Sequence, residues 1–243
     1  MSDLSPLASR EVAVHELHIP VHARSGGFLT LPGTLALPES AGGLVLFAHG
    51  SGSSRLSPRN RHVAAVLNDG WIATLLFDLL TEQEATDRLN VFDIELLADR
   101  LVAAMHFCLR DPLSSSLPIG LFGASTGAAA ALAAAARERH VRAVVSRGGR
   151  PDLAGEWLGR VEAPTLLVVG GEDRDVLELN REAYAALSCE KQLAVVPRAS
   201  HLFEEPRTLE EVARLAGEWF GRHLQIPAAA ERASGGGGEG GGL

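Results

Sequence analysis

The chain has 243 residues, 46% of them apolar, which is enough to bury one full hydrophobic core. Its formal charge of −8 and its aromatic content of 5% argue against nucleic-acid binding, which needs a basic face and usually stacking rings. No apolar run approaches the roughly 18 residues of a membrane span, and the N-terminus lacks the basic start and apolar core of a signal peptide, so we expect a cytoplasmic protein without membrane contact.

Two scarce residue types narrow the chemistry further. Lys191 is the only lysine, which argues against Schiff-base and Walker-type lysine chemistry. Cys108 and Cys189 are far apart and fit no metal or redox spacing, so we interpret them as reduced thiols. We therefore predict neither a cofactor nor a bound metal.

In chain order, short strands alternate with helices. The first two strands, 12–21 and 28–37, contain polar residues and proline, which is typical of an edge hairpin. Six strands follow at 43–48, 72–77, 118–122, 141–145, 165–169 and 192–196. Helices are predicted at 59–68, 92–110, 127–139, 151–159, 175–187 and 208–224. The alternation predicts the α/β class, with a doubly wound, mostly parallel eight-stranded sheet and an antiparallel N-terminal edge.

The domain organisation follows from composition. Residues 227–243 end in SGGGGEGGGL, a composition that cannot bury a core. We therefore interpret residues 1–226 as one domain and the glycine-rich segment as a disordered tail. The stretch 145–165 is too short to hold a lid, so we expect an open pocket.

The strand at 118–122 and the helix that follows it are joined by a G-x-S-x-G motif, the pattern of a nucleophile elbow. Gly123 and Gly127 would remove side chains that collide in so sharp a turn, which leaves the Ser125 hydroxyl exposed at its tip. The Thr126 N–H and the positive end of the helix would then face whatever Ser125 attacks. Because the motif alone is weak, the prediction depends on this strand–turn–helix context.

A serine nucleophile needs a base and an acid that orients the base. In doubly wound sheets, ligands bind at the C-terminal ends of the strands, so both should follow later strands. Asp173 comes after strand 165–169 and His201 after the last strand. The chain order Ser125, Asp173, His201 is the order of the α/β-hydrolase triad.

Other acidic and basic candidates lie at the same edge. Asp175 stands where we expect the N-cap of the next helix, and Glu172 is a weaker rival to Asp173 as the acid. His49 is the other histidine at this edge, but it precedes the nucleophile in the chain.

The loop after strand 43–48 should supply a second oxyanion donor beside the Thr126 N–H. We choose the Ser51 N–H, since Gly50 and Gly52 let this backbone approach a substrate. A dinucleotide or phosphate loop is a poor alternative, because Arg55 replaces the third glycine and no acidic ribose partner is evident.

Arginines are frequent in the loops at the predicted functional edge, although the chain is acidic overall. A guanidinium at such a rim would hold a carboxylate or phosphate near the scissile acyl group. Arg55 and Arg147 are the candidate substrate contacts; Arg150, Arg174 and Arg198 share the edge. The alternative is solvated surface, because arginine is nearly the only cation available.

Residues 12–224 resemble the α/β-hydrolase superfamily, and within it the dienelactone hydrolase-like branch. The motifs that carry the resemblance are HGSG, GASTG, GEDRDV and ASHLF. The resemblance implies eight strands, a Ser/Cys–Asp–His triad and ester-type substrates. Dienelactone hydrolases proper carry Cys where Ser125 stands, so generic ester hydrolysis is implied rather than their lactone reaction. The chain looks most similar to small hydrolase modules that are sometimes fused to a phosphoribosyltransferase domain, which implies such a partner.

We therefore predict a serine hydrolase that cleaves carboxylic esters of small, anionic acyl substrates through an acyl-enzyme. A thioesterase or small-peptide hydrolase would use the same residues, and sequence does not separate these activities. A binding module that kept the fold and lost turnover is the alternative from another class.

Overall fold

The structure, a computed structural model, describes residues 11–24 and 26–224. The predicted tail at 227–243, the end of the predicted domain at 226 and Ser25 of the hairpin turn lie outside the described residues. Within them the chain forms eight strands: β1 (Val12–His22), β2 (Phe28–Pro38), β3 (Gly43–Ala48), β4 (Ile72–Phe77), β5 (Ile119–Ala124), β6 (Val141–Arg147), β7 (Thr165–Gly170) and β8 (Lys191–Val196).

Helices connect these strands in the described part of the chain. They are α1 (Pro58–Asp69), α2 (Arg88–Val91), α3 (Ile94–Cys108), α4 (Thr126–Arg137), α5 (Arg174–Ala186) and α6 (Thr208–His223). Short 3₁₀ segments occur at Glu84–Thr86 and Pro151–Arg160, the latter interrupted at Gly155.

The strands form one sheet in the order β1-β2-β4-β3-β5-β6-β7-β8. β2 runs antiparallel to both of its neighbours, and the other adjacent pairs are parallel. β3, β4, β5 and β7 are buried along their whole length, since parallel strands at the centre of a sheet are covered on both faces. The predicted fold class is confirmed.

Two helical layers enclose the sheet. One core contains the apolar faces of α1 and α6, with Leu67, Val212 and Phe220 among its members. The other contains α3, α4 and the end of α5. α4 is buried from Thr126 to Ala135, so its run of alanines matches a helix that packs closely on both the sheet and α3.

The sequence analysis assigns no element between strand 72–77 and helix 92–110. In the structure, residues 78–93 contain a 3₁₀ turn and α2, and the long helix begins at Ile94. The signals are local: the Leu89 N–H donates to the Asp87 carboxylate, and the Leu96 N–H donates to Asp93, so each aspartate begins a helix. This segment forms one wall of the cavity described below.

Candidate active site

Ser125 occupies the sharp turn between β5 and α4. Its φ of 51° and ψ of −121° lie outside the regions that non-glycine residues ordinarily adopt. A Cβ on Gly123 would lie 2.4 Å from the Ala128 Cα, and one on Gly127 would lie 2.2 Å from the Ala48 carbonyl oxygen. Only glycine fits at either position, so the turn can form as the motif predicts.

The loops after β7 and β8 bring Asp173 to His201. The His201 Nδ1 lies 2.7 Å from the Asp173 Oδ2. Backbone hydrogen bonds join the two loops: the Glu172 N–H donates to the Ala199 carbonyl at 3.0 Å, and the Gly171 N–H donates to the carbonyl that ends β8 at 2.9 Å. The acid and the imidazole are therefore held together by main chain as well as by their own contact.

The expectation that Asp175 caps the following helix is wrong. Helix α5 begins at Arg174, which puts Asp173 at the N-cap position and Asp175 in the first turn. The Asp173 carboxylate makes no capping hydrogen bond, because its Oδ2 contacts the imidazole of His201 instead. Asp175 remains at the positive end of the helix, where a carboxylate is favourable without any role at the site.

Ser125 and His201 line the same cavity of about 220 Å³. When Nδ1 carries the proton, this N–H donates to the Asp173 carboxylate. The other ring nitrogen, Nε2, is then available to exchange a proton with a neighbouring group. Among the described residues, no hydrogen bond joins the Ser125 hydroxyl to His201. Such contacts are often long in empty sites and shorten when substrate binds.

The candidate oxyanion donors lie side by side, and one of them is engaged. The Ser51 N–H donates to the Thr126 Oγ1 at 2.9 Å. The Thr126 N–H is the first of helix α4 and has no intrahelical acceptor. A Cβ on Gly50 would lie 2.9 Å from the Ser125 Cβ, so glycine lets the loop after β3 approach the serine.

His49 is a structural residue at this edge. Its Nε2 accepts a hydrogen bond from the Leu79 N–H at 3.0 Å, so Nδ1 carries the proton and donates to the Gly50 carbonyl at 3.1 Å. Burial lowers the pKa of His49 below its usual value. The neutral ring thus ties the loop after β3 to the loop after β4.

Arg147, the last residue of β6, lines the cavity with Ser125 and His201. It is 8% exposed, and within residues 11–24 and 26–224 its Nε and Nη1 have no hydrogen-bond partner. Burial, assisted by the charge of Arg59, lowers its pKa to about 10. A buried guanidinium without a counterion costs free energy, which marks this as a place where an anion would be stabilised.

Sequence patterning missed Arg59 as a second cation of the same cavity. Its Nε is also without a partner, and its Nη1 lies 3.5 Å from a Glu204 carboxylate oxygen. Arg59 is the second residue of α1, which directly follows the loop after β3. Ligands bind beyond the C-terminal ends of the strands. A search that extended to the first turn of the helix after each such loop would have found Arg59.

Arg55 is placed differently from Arg147. Its Nη1 lies 2.6 Å from the Asp78 Oδ2, and its N–H donates to the Asp78 Oδ1 at 2.7 Å. Arg55 does not line the cavity of Ser125; it lines a second cavity of about 280 Å³ on the other side of the loop. Its contact with substrate stays a prediction, and its charge already has a partner.

The second cavity has largely apolar walls. Leu79, Leu80, Ala85, Val91 and Leu97 provide most of the apolar surface. Thr126, which follows the serine in the chain, also lines this cavity, as do the charged residues Arg55, Asp78 and Glu82. Buried Arg100 links the segment between β4 and α3 to β1. Its Nη1 donates to the His22 carbonyl and its Nη2 donates to Glu84 Oε1, both at 2.7 Å.

The comparisons with known proteins bear on this arrangement. No protein-family model matches the chain. A dienelactone hydrolase of Anabaena variabilis, known from its crystal structure, is 52% identical and superposes with a TM-score of 0.80, over 87% of this chain and 99% of that protein. The chain belongs to the dienelactone hydrolase-like α/β hydrolases. The resemblance read from the sequence motifs is thereby confirmed.

More distant α/β hydrolases share the fold. An α/β serine hydrolase without a lid from Xanthomonas campestris is 21% identical with a TM-score of 0.69, over 93% of this chain and 100% of that one. Est1E of Butyrivibrio proteoclasticus is 16% identical with a TM-score of 0.70, over 86% and 99%. At these identities the likeness concerns the fold alone.

Curated relatives of this family member are longer proteins. Two Mycobacterium tuberculosis proteins with the provisional name phosphoribosyl transferase are 58% identical over 223 residues, or 91% of this chain. The chain spans 48% of the length of each. Within the described residues, no helix is long and apolar enough to cross a membrane.

Proposed function

We propose that the chain is a serine hydrolase that cleaves carboxylic esters through an acyl-enzyme on Ser125. The observation that carries the proposal is the 2.7 Å contact between Asp173 and His201, with the imidazole in the same cavity as the elbow serine. The hydrolase fold of its relatives agrees with this chemistry. Neither Cys108 nor Cys189 lines this cavity, so neither thiol competes with Ser125 as the nucleophile.

In the proposed reaction, His201 Nε2 takes the hydroxyl proton as the Ser125 oxygen forms a bond to the acyl carbon. The bond from that carbon to the leaving oxygen then breaks, and the same proton passes to the leaving alcohol. Water next attacks the acyl-enzyme by the reverse roles, giving the acid and the free serine. Asp173 holds the imidazole in the tautomer that this exchange requires.

The oxyanion of each tetrahedral intermediate would bind the Thr126 N–H and the Ser51 N–H. The Ser51 N–H donates to the Thr126 hydroxyl, so the developing oxyanion would replace or join that acceptor. One such donor is worth roughly 10²–10³ in rate.

We propose further that the substrate carries a negative charge near the scissile bond. Support comes from Arg147, which lines the cavity of Ser125 and whose buried Nε and Nη1 have no partner among the described residues, and from Arg59, which lines the same cavity. The cytoplasmic location and association with a phosphoribosyltransferase domain remain proposals, the latter supported by the resemblance and the relatives' names.

The test is labelling with a fluorophosphonate probe, followed by turnover of an ester panel. The native protein should label at one serine, and Ser125→Ala should not label while keeping the melting temperature of the native protein. Asp175→Asn serves as the matched control at the same edge and should label normally. Labelling that persists in Ser125→Ala would contradict the proposal. Thioesters and peptides in the panel test whether the same residues act as a thioesterase or as a small-peptide hydrolase.

A further inference from the structure

We infer that the loop Gly50–Ser53 divides the substrate between two cavities, with an anionic leaving group beside His201 and Arg147 and an apolar acyl group beside Leu79 and Leu80. This inference rests on the proposed ester hydrolysis and specifies which half of the substrate carries the charge. The preferred substrates are therefore short apolar acyl esters or thioesters of an alcohol or thiol that carries a carboxylate or phosphate.

The two cavities meet at the loop Gly50–Ser53. Gly50, Ser51 and Ser53 line both. Ser125 and His201 line the smaller cavity, and Thr126 lines the larger one. An ester carbonyl bound between the Ser51 and Thr126 amides would thus have one substituent on each side of the loop.

The position of His201 determines where the leaving group must lie. The general acid must lie within hydrogen-bond reach of the leaving oxygen, because it returns the serine proton to that atom. His201 lines the cavity of about 220 Å³ and not the apolar one. The alcohol or thiol therefore leaves through the cavity of His201, and the acyl group stays across the loop.

The two cavities also differ in charge. Arg147 and Arg59 both line the cavity of His201. Arg59 lies 3.5 Å from a carboxylate oxygen of Glu204, whereas the buried Nε and Nη1 of Arg147 have no hydrogen-bond partner among the described residues. The apolar cavity is also lined by an arginine, Arg55, but its guanidinium is already neutralised by the Asp78 carboxylate, which lies 2.6 Å from Nη1. The unbalanced positive charge lies on the leaving-group side, so an anion is favoured there and not on the acyl group.

The volume of the apolar cavity limits the length of the acyl group. The acyl cavity measures about 280 Å³, just below the roughly 300–1,000 Å³ of common ligand pockets. The Arg55–Asp78 pair separates it from an outer groove that both residues also line. A chain long enough to reach this pair would meet charge, so the cavity suits a short acyl chain or a single ring.

Three esters test the assignment. They are 4-hexanoyloxybenzoate, its neutral methyl ester, and the monophenyl ester of adipic acid, in which the charge sits on the acyl half. Alkaline hydrolysis rates correct each for intrinsic reactivity. We expect kcat/KM for the first to exceed that for the second by roughly 10- to 100-fold, the range of one charged hydrogen bond, and the adipate ester to be the poorest. In Arg147→Met the ratio of the first two should fall towards one.

A pair of variants tests the acyl side with one leaving group. Ala85→Phe fills the apolar cavity from an exposed position and should lower kcat/KM for the hexanoyl ester at least tenfold relative to the acetyl ester. Gln83→Phe is the matched control, since it is two residues away and lines only the outer groove; its hexanoyl-to-acetyl ratio should equal that of the native protein.

The outcomes separate the inference from the proposed function. Turnover of all three esters without a charge preference, or an Arg147-dependent preference for the adipate ester, overturns the inference and leaves ester hydrolysis standing. A hexanoyl-to-acetyl ratio that Ala85→Phe does not change overturns the acyl assignment. If no ester is hydrolysed and the fluorophosphonate does not label Ser125, the proposed function fails and the inference fails with it.

Discussion

Replacing Arg147 by methionine should make the protein more stable while impairing its use of anionic substrates. Burial lowers the pKa of this guanidinium from its usual value to about 10. At roughly 1.4 kcal/mol per pKa unit, the buried charge destabilises the folded state by about 3 kcal/mol at neutral pH. Because the pKa is lower in the folded state than in the unfolded one, this penalty is complete below about pH 10 and disappears as the pH rises further.

Methionine retains much of the apolar stem and removes the charge, and such replacements are often stabilising. We expect a gain of about 1–3 kcal/mol in the free energy of unfolding, or roughly 2–4 °C in Tm per kcal/mol. Urea and thermal unfolding at pH 7.5 measure it. Arg142→Met is the control, because Arg142 is the exposed arginine of the same strand, and it should stay within about 0.5 kcal/mol of the native value. A loss of more than about 1 kcal/mol in Arg147→Met would refute the reasoning, since it would mean that the guanidinium has a stabilising partner inside the protein.

Three further predictions concern the site and the core. Asp173→Asn should lower kcat by about 10⁴, because the imidazole would adopt the wrong tautomer, whereas Asp175→Asn should change kcat less than twofold. Steady-state kinetics with one ester compares the two variants. Equal losses would contradict the assignment of the acid. Gly50→Ala should lower kcat by on the order of 10², because the new Cβ would lie 2.9 Å from the Ser125 Cβ; unchanged kinetics in a folded variant would show that the loop does not need this approach. Burial raises the pKa of Cys108 to about 12, so in native protein a thiol reagent at pH 8 should modify Cys189 alone, with Cys108 reacting only after unfolding.

The mostly parallel eight-stranded sheet and the candidate triad could be anticipated because they depend on few properties. Continuous apolar runs identify parallel strands that are covered on both faces, and parallel strands deliver their following loops to one edge. Once Ser125 marks that edge, Asp173 and His201 follow from chain order. The structure brings the last two into contact, although the helix cap was assigned to the wrong aspartate.

What sequence could not supply is the pairing of charges across loops. Arg55 and Arg147 look equivalent as arginines that follow strands. Arg55 is neutralised by Asp78, 23 residues away. Arg147 is buried and has no counterion in the described part of the chain. The difference depends on the course of residues 78–93, whose short helices leave no periodic signal, and on α1, whose first turn adds Arg59 to the cavity.

The contact between the Ser51 amide and the Thr126 hydroxyl means that the proposed oxyanion donor already has an oxygen acceptor within the protein. In the proposed reaction, a substrate oxygen would therefore compete with a neutral hydroxyl for this N–H. The exchange would replace one oxygen acceptor by another and would not add a hydrogen bond. The advantage gained by a developing oxyanion is only the excess of a charged acceptor over a neutral one, and a substrate that never develops that charge gains nothing from displacing the threonine.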